Sequence, residues 1–197
     1  MSEQIQDGTG KGYLAKVDNE NRLLTASITT PTEEHASESG LSYNINTGII
    51  TLTNTTITPV LYIKNNEDYD LVITSLIYQT GASTGGAGNI LVEVLRNPTA
   101  GTIVSNASAV EMNINRNFGS SRTLSVNAYK GATGNTMTDG TKAFESILAT
   151  ATQRIAVSVG AITLPKGSSI GIRITPSTGN TSMAVEFAVA CFLNDQS

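Results

Sequence analysis

The chain has 197 residues, a formal net charge of −4 at pH 7 and a charged fraction of only 14%. Its 12 Lys and Arg residues occur singly, which argues against nucleic-acid and membrane-surface binding, because both require clustered cations. No apolar run approaches the length of a membrane-spanning helix, about 18 residues. The chain length of 197 residues predicts one domain that buries its core without disulfide or metal support.

The N-terminal segment, residues 1–39, differs in composition from the rest and is predicted to be an extended arm. It has no cationic region followed by an apolar core, so no secretory signal is expected, and the chain is expected to assemble in a cytoplasm. The first dozen residues are equally compatible with disorder. Apolar residues recur further on, and these are expected to dock the arm on a partner: Tyr13, Leu14, Val17, Leu23, Leu24 and Ile28.

From residue 40 to residue 197, short apolar segments alternate with turn residues every 8–12 positions. This spacing predicts an all-β domain, an antiparallel β-sandwich with a jelly-roll-like arrangement. A turn is expected at residues 46–48, between two short strands. In the predicted strand 109–115, Val110, Met112 and Ile114 alternate with polar residues and are expected to face inward.

The strongest strand signal lies between residues 58 and 78. Two runs rich in β-branched and aromatic residues flank a polar, acidic segment, residues 65–70. This pattern predicts a β-hairpin. The oxygen-rich connection resembles a calcium ligand set in composition only, and a solvated turn is the favoured interpretation.

Residues 142–155 are ambiguous between helix and strand. Five apolar residues recur with helical spacing, and Thr141 is a possible helix cap: Phe144, Ile147, Leu148, Ala151 and Ile155. The alternative is a strand ending near Leu148, a turn and a second strand. We favour two strands, because the Thr residues and the β-branched run that follows are poor helix formers.

Residues able to carry chemistry are sparse, so no catalytic, metal or cofactor site is predicted and enzymatic activity is not expected. The one histidine, His35, lies in the polar arm, which argues against a histidine general base. The glycine-rich segment 81–88 precedes a strand and lacks a Lys, unlike a phosphate-binding loop. Cys191 is predicted to be a buried thiol within a strand.

Four glutamates lie inside apolar strands, namely Glu93, Glu111, Glu145 and Glu186. Alternation places Glu186 on one strand face together with three alanines, at 184, 188 and 190. Small residues around a carboxylate predict a packed contact surface, here between subunits.

Six short sequence segments, which follow in order over nearly the whole chain, resemble a family of tailed-phage virion structural proteins. They are residues 7–18 (DGTGKGYLAKVD), 62–67 (YIKNNE), 96–102 (RNPTAGT), 115–121 (NRNFGSS), 164–172 (LPKGSSIGI) and 176–183 (PSTGNTSM). The resemblance implies a non-enzymatic virion component, a capsid decoration (cement) protein or another head or tail accessory. It also implies a jelly-roll homotrimer that binds the major capsid protein or other virion proteins.

Two further functions remain open at this stage. A tail or head-fibre module that binds cell-surface glycan needs exposed aromatic residues, for which Tyr69 and Tyr129 are the candidates. An enzyme such as a depolymerase or esterase is disfavoured, because the lone histidine lies in the arm and no nucleophile motif accompanies it.

Overall fold

The computed structural model describes residues 32–86, 88–151 and 155–195. Two short helices and eleven strands lie within this part of the chain. In chain order they are α1 (Thr32–Glu38), β1 (Ser42–Leu52), β2 (Thr58–Asn65), β3 (Asp70–Thr80), β4 (Asn89–Arg96), α2 (Thr102–Ser105), β5 (Ser108–Ala109), β6 (Met112–Asn115), β7 (Val126–Lys130), β8 (Thr141–Ala149), β9 (Ile155–Leu164), β10 (Ser169–Thr175) and β11 (Met183–Asn194).

The strands form two antiparallel sheets that pack face to face. Sheet one has the order β6-β1-β11-β3-β9, and sheet two has the order β5-β7-β2-β10-β4-β8. Strands β1 to β4 alternate between the two sheets, and strands β8 to β11 do the same. This alternation makes the sandwich jelly-roll-like, and the predicted all-β antiparallel fold is confirmed.

The main core lies between the sheets and is built from alternate residues of each strand. Strand β11 shows the pattern most clearly, because Val185, Phe187 and Val189 are buried while the residues between them face outward. Phe187 contacts Tyr78 of β3, with ring centroids 5.9 Å apart. Cys191 continues the buried row as a free thiol, as predicted, and burial raises its pKa to about 12.

A second, smaller core covers part of the opposite side of sheet two. Tyr62 of β2 and Leu95 of β4 are buried there against Ile103 of α2 and Met137 of the segment that precedes β8. Tyr62 of β2 and Leu95 of β4 therefore place apolar side chains on the outer side of the sheet as well. This explains why β2 is buried at nearly every position instead of alternating.

The predicted β-hairpin at residues 58–78 is wrong in its pairing, although both strands exist. β2 pairs with β10 and β7 in sheet two, whereas β3 pairs with β11 and β9 in sheet one. The polar segment between them crosses from one sheet to the other. Because sandwich sheets lie about 10 Å apart, a connection of four residues spans this gap easily.

The buried side chain of Asn65 holds this crossing in place. Its Nδ2 donates to the carbonyl oxygens of Tyr69 at 2.9 Å and Leu164 at 2.8 Å, and its Oδ1 accepts from the backbone N–H of Glu67 at 2.9 Å. The same side chain therefore joins the β2–β3 crossing to the end of β9, which leads into the neighbouring β9–β10 crossing.

The predicted turn at residues 46–48 is a bulge inside one continuous strand, β1. Gly48 has φ +63°, a left-handed conformation that glycine adopts without strain. The hydroxyl of Thr47 accepts a hydrogen bond from the backbone N–H of Phe187 at 3.0 Å and so repairs the ladder across the irregularity.

The predicted strand 109–115 is divided between the sheets, and two of its three inward assignments are wrong. β5 pairs with β7 in sheet two, and β6 pairs with β1 in sheet one. Met112 and Ile114 lie opposite Asn46 and Asn44 on the outer face and are 44% and 47% exposed. Val110 lies between the two strands and packs against the core.

The favoured interpretation of residues 142–155 is confirmed, since β8 and β9 are both strands. At the other end of the chain, residues 32–38 form α1 instead of continuing an extended arm. Glu33 and Glu34 stabilise the first turn through the helix dipole, and buried Ala36 packs α1 on the main core.

Candidate interaction surfaces

Within the described parts of the chain, no three His, Cys, Asp or Glu side chains are placed to share a metal ion. His35 is exposed in α1. In the acidic connection after β2, Asp68 pairs with Lys166 at 2.5 Å, and Glu67 accepts the backbone N–H of Ser125 at 2.5 Å. Both carboxylates therefore hold the connection against neighbouring loops.

Glu93 is the most buried carboxylate of the four that the sequence analysis singled out. It lies on the outer side of sheet two and is 4% exposed. Arg173 contacts both of its oxygens, and Lys142 lies 2.7 Å from Oε1 while also pairing with Glu145. Hydrogen bonding from Arg173 is the main cause that lowers the pKa of Glu93. The carboxylate is therefore held charged and saturated with donors.

Small side chains line the outer face of sheet one along its central strand, β11. Ala188 lies opposite Ile77 of β3, and Ala190 lies opposite Ser75. Glu186 accepts a hydrogen bond from Asn46 at 3.0 Å and borders a depression of about 140 Å³ that Gln79 also lines. Glu186 therefore shares one face with the alanines, as the alternation predicted. We call this surface the alanine face: residues 184, 186, 188 and 190 with their neighbours on β1 and β3.

A loop after β6, residues 116–122, presents Phe118 to solvent with 93% of its surface exposed. Asn115 braces the base of this loop by donating to the carbonyl oxygens of Gly40 at 2.8 Å and Arg122 at 3.1 Å. Asn117 donates to the carbonyl oxygen of Glu38 at 3.0 Å and accepts from the N–H of Gly119. The loop is thus tied to α1 and holds an aromatic ring away from the body.

An apolar cleft of about 490 Å³ lies beside the edge strands β8 and β9. Its lining includes Val94 of β4, Phe144 of β8, and Val159 and Ile162 of β9. Arg96 is the one charged residue among the described residues that line it. The sequence could not have revealed the cleft, because its walls come from segments up to about 75 positions apart.

The remaining predicted site residues are placed as follows. All six docking residues of the arm, between positions 13 and 28, lie outside the described residues. The ring of Tyr129 stacks on Tyr62, with centroids 6.1 Å apart and planes 8° from parallel, so one of its faces is occupied. Tyr69 is partly exposed in the β2–β3 crossing.

The Phe118 loop was not predicted as a candidate surface. The available signal was an aromatic residue between asparagines and glycine, in the segment Asn115 to Gly119, because Asx turns make such loops rigid. In the described part of the chain, no helix is both long and apolar enough to cross a membrane. A scan against protein-family models and a search of curated proteins found no match to this chain.

Proposed function

We propose that the chain is a non-enzymatic structural subunit of a tailed-phage particle, most specifically a capsid decoration protein. In this proposal the sandwich is the body, the N-terminal arm anchors it, and copies associate with one another as a homotrimer. The partner is the major capsid protein or another protein exposed on the virion. The ordered segments that resemble virion proteins support the identity of the particle.

The alanine face is the observation that carries the proposal. The alanine side chains are short, so that a partner surface can approach the central strand closely. The face has low charge, which reduces the cost of removing polar groups from water. Glu186 and Asn46 supply a charged acceptor and an amide in its middle, which can orient a partner. We assign the particle's coat as the occupant of this face.

Anchoring through several arms explains how weak contacts give high occupancy. Each arm of an oligomer binds at a high effective concentration once the first arm is bound, so that avidity exceeds the affinity of one arm. A low charge on the subunit makes such binding tolerant of salt.

The experiment uses particles assembled without this gene product, to which purified protein is added before sedimentation. Wild-type protein is expected to co-sediment with the particles. Binding should saturate at a fixed number of copies per particle that matches the particle's symmetry. Ala188→Arg is expected to bind at least tenfold more weakly, because the new side chain prevents close approach and introduces charge. Ala100→Arg, at an exposed position on another surface, is the matched control and should bind like wild type.

Thermal unfolding of both variants shows whether the body is intact. Failure of wild-type protein to bind particles would overturn the proposed function. Equal binding of wild type and Ala188→Arg would keep the particle role but remove the alanine face as its contact surface.

A further inference from the structure

The exposed Phe118 and the apolar cleft lie at opposite edges of sheet one, at the same level along its strands. A single row of paired residues crosses the sheet: Asn115 on β6, Tyr43 on β1, Cys191 on β11, Ile73 on β3 and Ile162 on β9. Asn115 braces the Phe118 loop, and Ile162 lines the cleft. Four strand spacings separate the two ends of the row, about 19 Å.

Phe118 has the properties of an anchor residue. Aromatic residues dominate binding energy at interfaces, especially when they enter a pocket on the partner. The hydrogen bonds of Asn115 and Asn117 hold the loop in one conformation before any contact is made. Little conformational entropy is therefore lost when the ring becomes buried.

The cleft has the size and chemistry to receive such a ring. Its volume is about 490 Å³, whereas an apolar cavity of about 150 Å³ already accommodates benzene. Val94, Phe144 and Ile162 provide an apolar lining. Phe118 of the same molecule cannot reach it, because the braced loop and the cleft are at opposite edges of the sheet.

We propose that Phe118 of one copy inserts into the cleft of a second copy, in a head-to-tail contact. A contact between two different surfaces of the same protein builds a closed ring when the rotation between copies closes, and a filament when it does not. The Phe118 side chain and the cleft lie at one level along the strands, so neighbouring copies need no shift parallel to the strands. This inference rests on the self-association included in the proposed function.

The test measures molar mass by light scattering on full-length protein and on two variants. Phe118→Ala removes the phenyl ring that is proposed to enter the cleft. Ala143→Trp fills the cleft from an exposed lining position, which limits its effect on folding. We expect wild-type protein to form a closed oligomer. Each variant should be monomeric, because its self-association is at least tenfold weaker. Ile57→Ala truncates another exposed apolar residue and should behave like wild type.

An equimolar mixture of the two variants is the decisive sample. The Phe118→Ala variant keeps an open cleft, and the Ala143→Trp variant keeps Phe118. One contact can therefore form per pair, and the mixture should contain heterodimers. Oligomeric Phe118→Ala, or a mixture that stays monomeric, would overturn the inference. A monomeric wild type would also overturn it, whereas particle binding in the sedimentation experiment would still stand as a separate result.

Discussion

Arg173 on β10 and Glu93 on β4 lie directly opposite each other and form a double ion pair across adjacent strands. The guanidinium Nε lies 2.7 Å from Oε2, and Nη2 lies 3.3 Å from Oε1. Lys142 of β8 reaches the same carboxylate. Three neighbouring strands of sheet two are therefore joined by one buried negative charge.

We expect Glu93→Gln to lower the free energy of unfolding by about 1.5–3 kcal/mol at pH 7, the range for hydrogen bonds to charged groups. The pKa of Glu93 is lowered in the folded state. Its stabilisation is thus fully present above the unfolded pKa, about 4.3, and is lost as the pH falls through the lower folded pKa. Urea unfolding between pH 7 and pH 2.5 measures both effects.

Glu145→Gln is the matched control, because Glu145 pairs only with Lys142 among the described cations and is exposed. Its effect should stay below about 1 kcal/mol, as for most exposed ion pairs. Equal destabilisation by the two substitutions would contradict a special role for the buried carboxylate.

Asn65→Ala should destabilise the protein by about 2–4 kcal/mol. The substitution leaves the buried carbonyl oxygen of Leu164 and the partly buried one of Tyr69 without this donor, and an unsatisfied buried group costs about 1–3 kcal/mol. Asn66→Ala, at the next and exposed position, removes a hydrogen bond to Asn127 and should cost less than about 0.5 kcal/mol. Chemical denaturation of both variants decides this, and similar values would refute the role of Asn65.

Deletion of residues 1–28 is expected to abolish particle association while the body still folds. The deletion removes all six predicted docking residues but none of the described sandwich. A shorter deletion of residues 1–12 retains those six residues and should bind normally. Co-sedimentation with particles and circular dichroism give the two readouts, and full occupancy by the longer deletion would disprove anchoring by the arm.

Glu186→Gln is expected to weaken particle binding about tenfold, since a hydrogen bond to a charged acceptor contributes roughly 1.4 kcal/mol more than one to a neutral acceptor. Asn46 still finds an amide oxygen, so folding should be unaffected. Glu145→Gln, which removes an exposed carboxylate on β8 of sheet two, is the control and should bind like wild type. Unchanged assembly of Glu186→Gln would show that this carboxylate does not contact a partner.

Local patterns in the chain were enough to predict the long strands, such as β11. In β11, buried and exposed residues alternate from Met183 to Cys191, and both the fold class and the face of Glu186 follow from this period of two. Residues 142–155 were resolved correctly by the scarcity of good helix formers. These properties depend on neighbours within a few positions, which a sequence displays directly.

Pairing partners and surfaces were decided only by the tertiary structure. The segment 58–78 reads as a hairpin, yet its strands belong to different sheets, because the same turn chemistry serves a hairpin and a crossing. Met112 and Ile114 face outward because β6 pairs with β1 at an edge. Thus the sequence by itself determined an all-β chain with alternating strands. Only the fold brought Phe118 and the cleft to opposite ends of one row, since strand register depends on contacts between residues far apart in the chain.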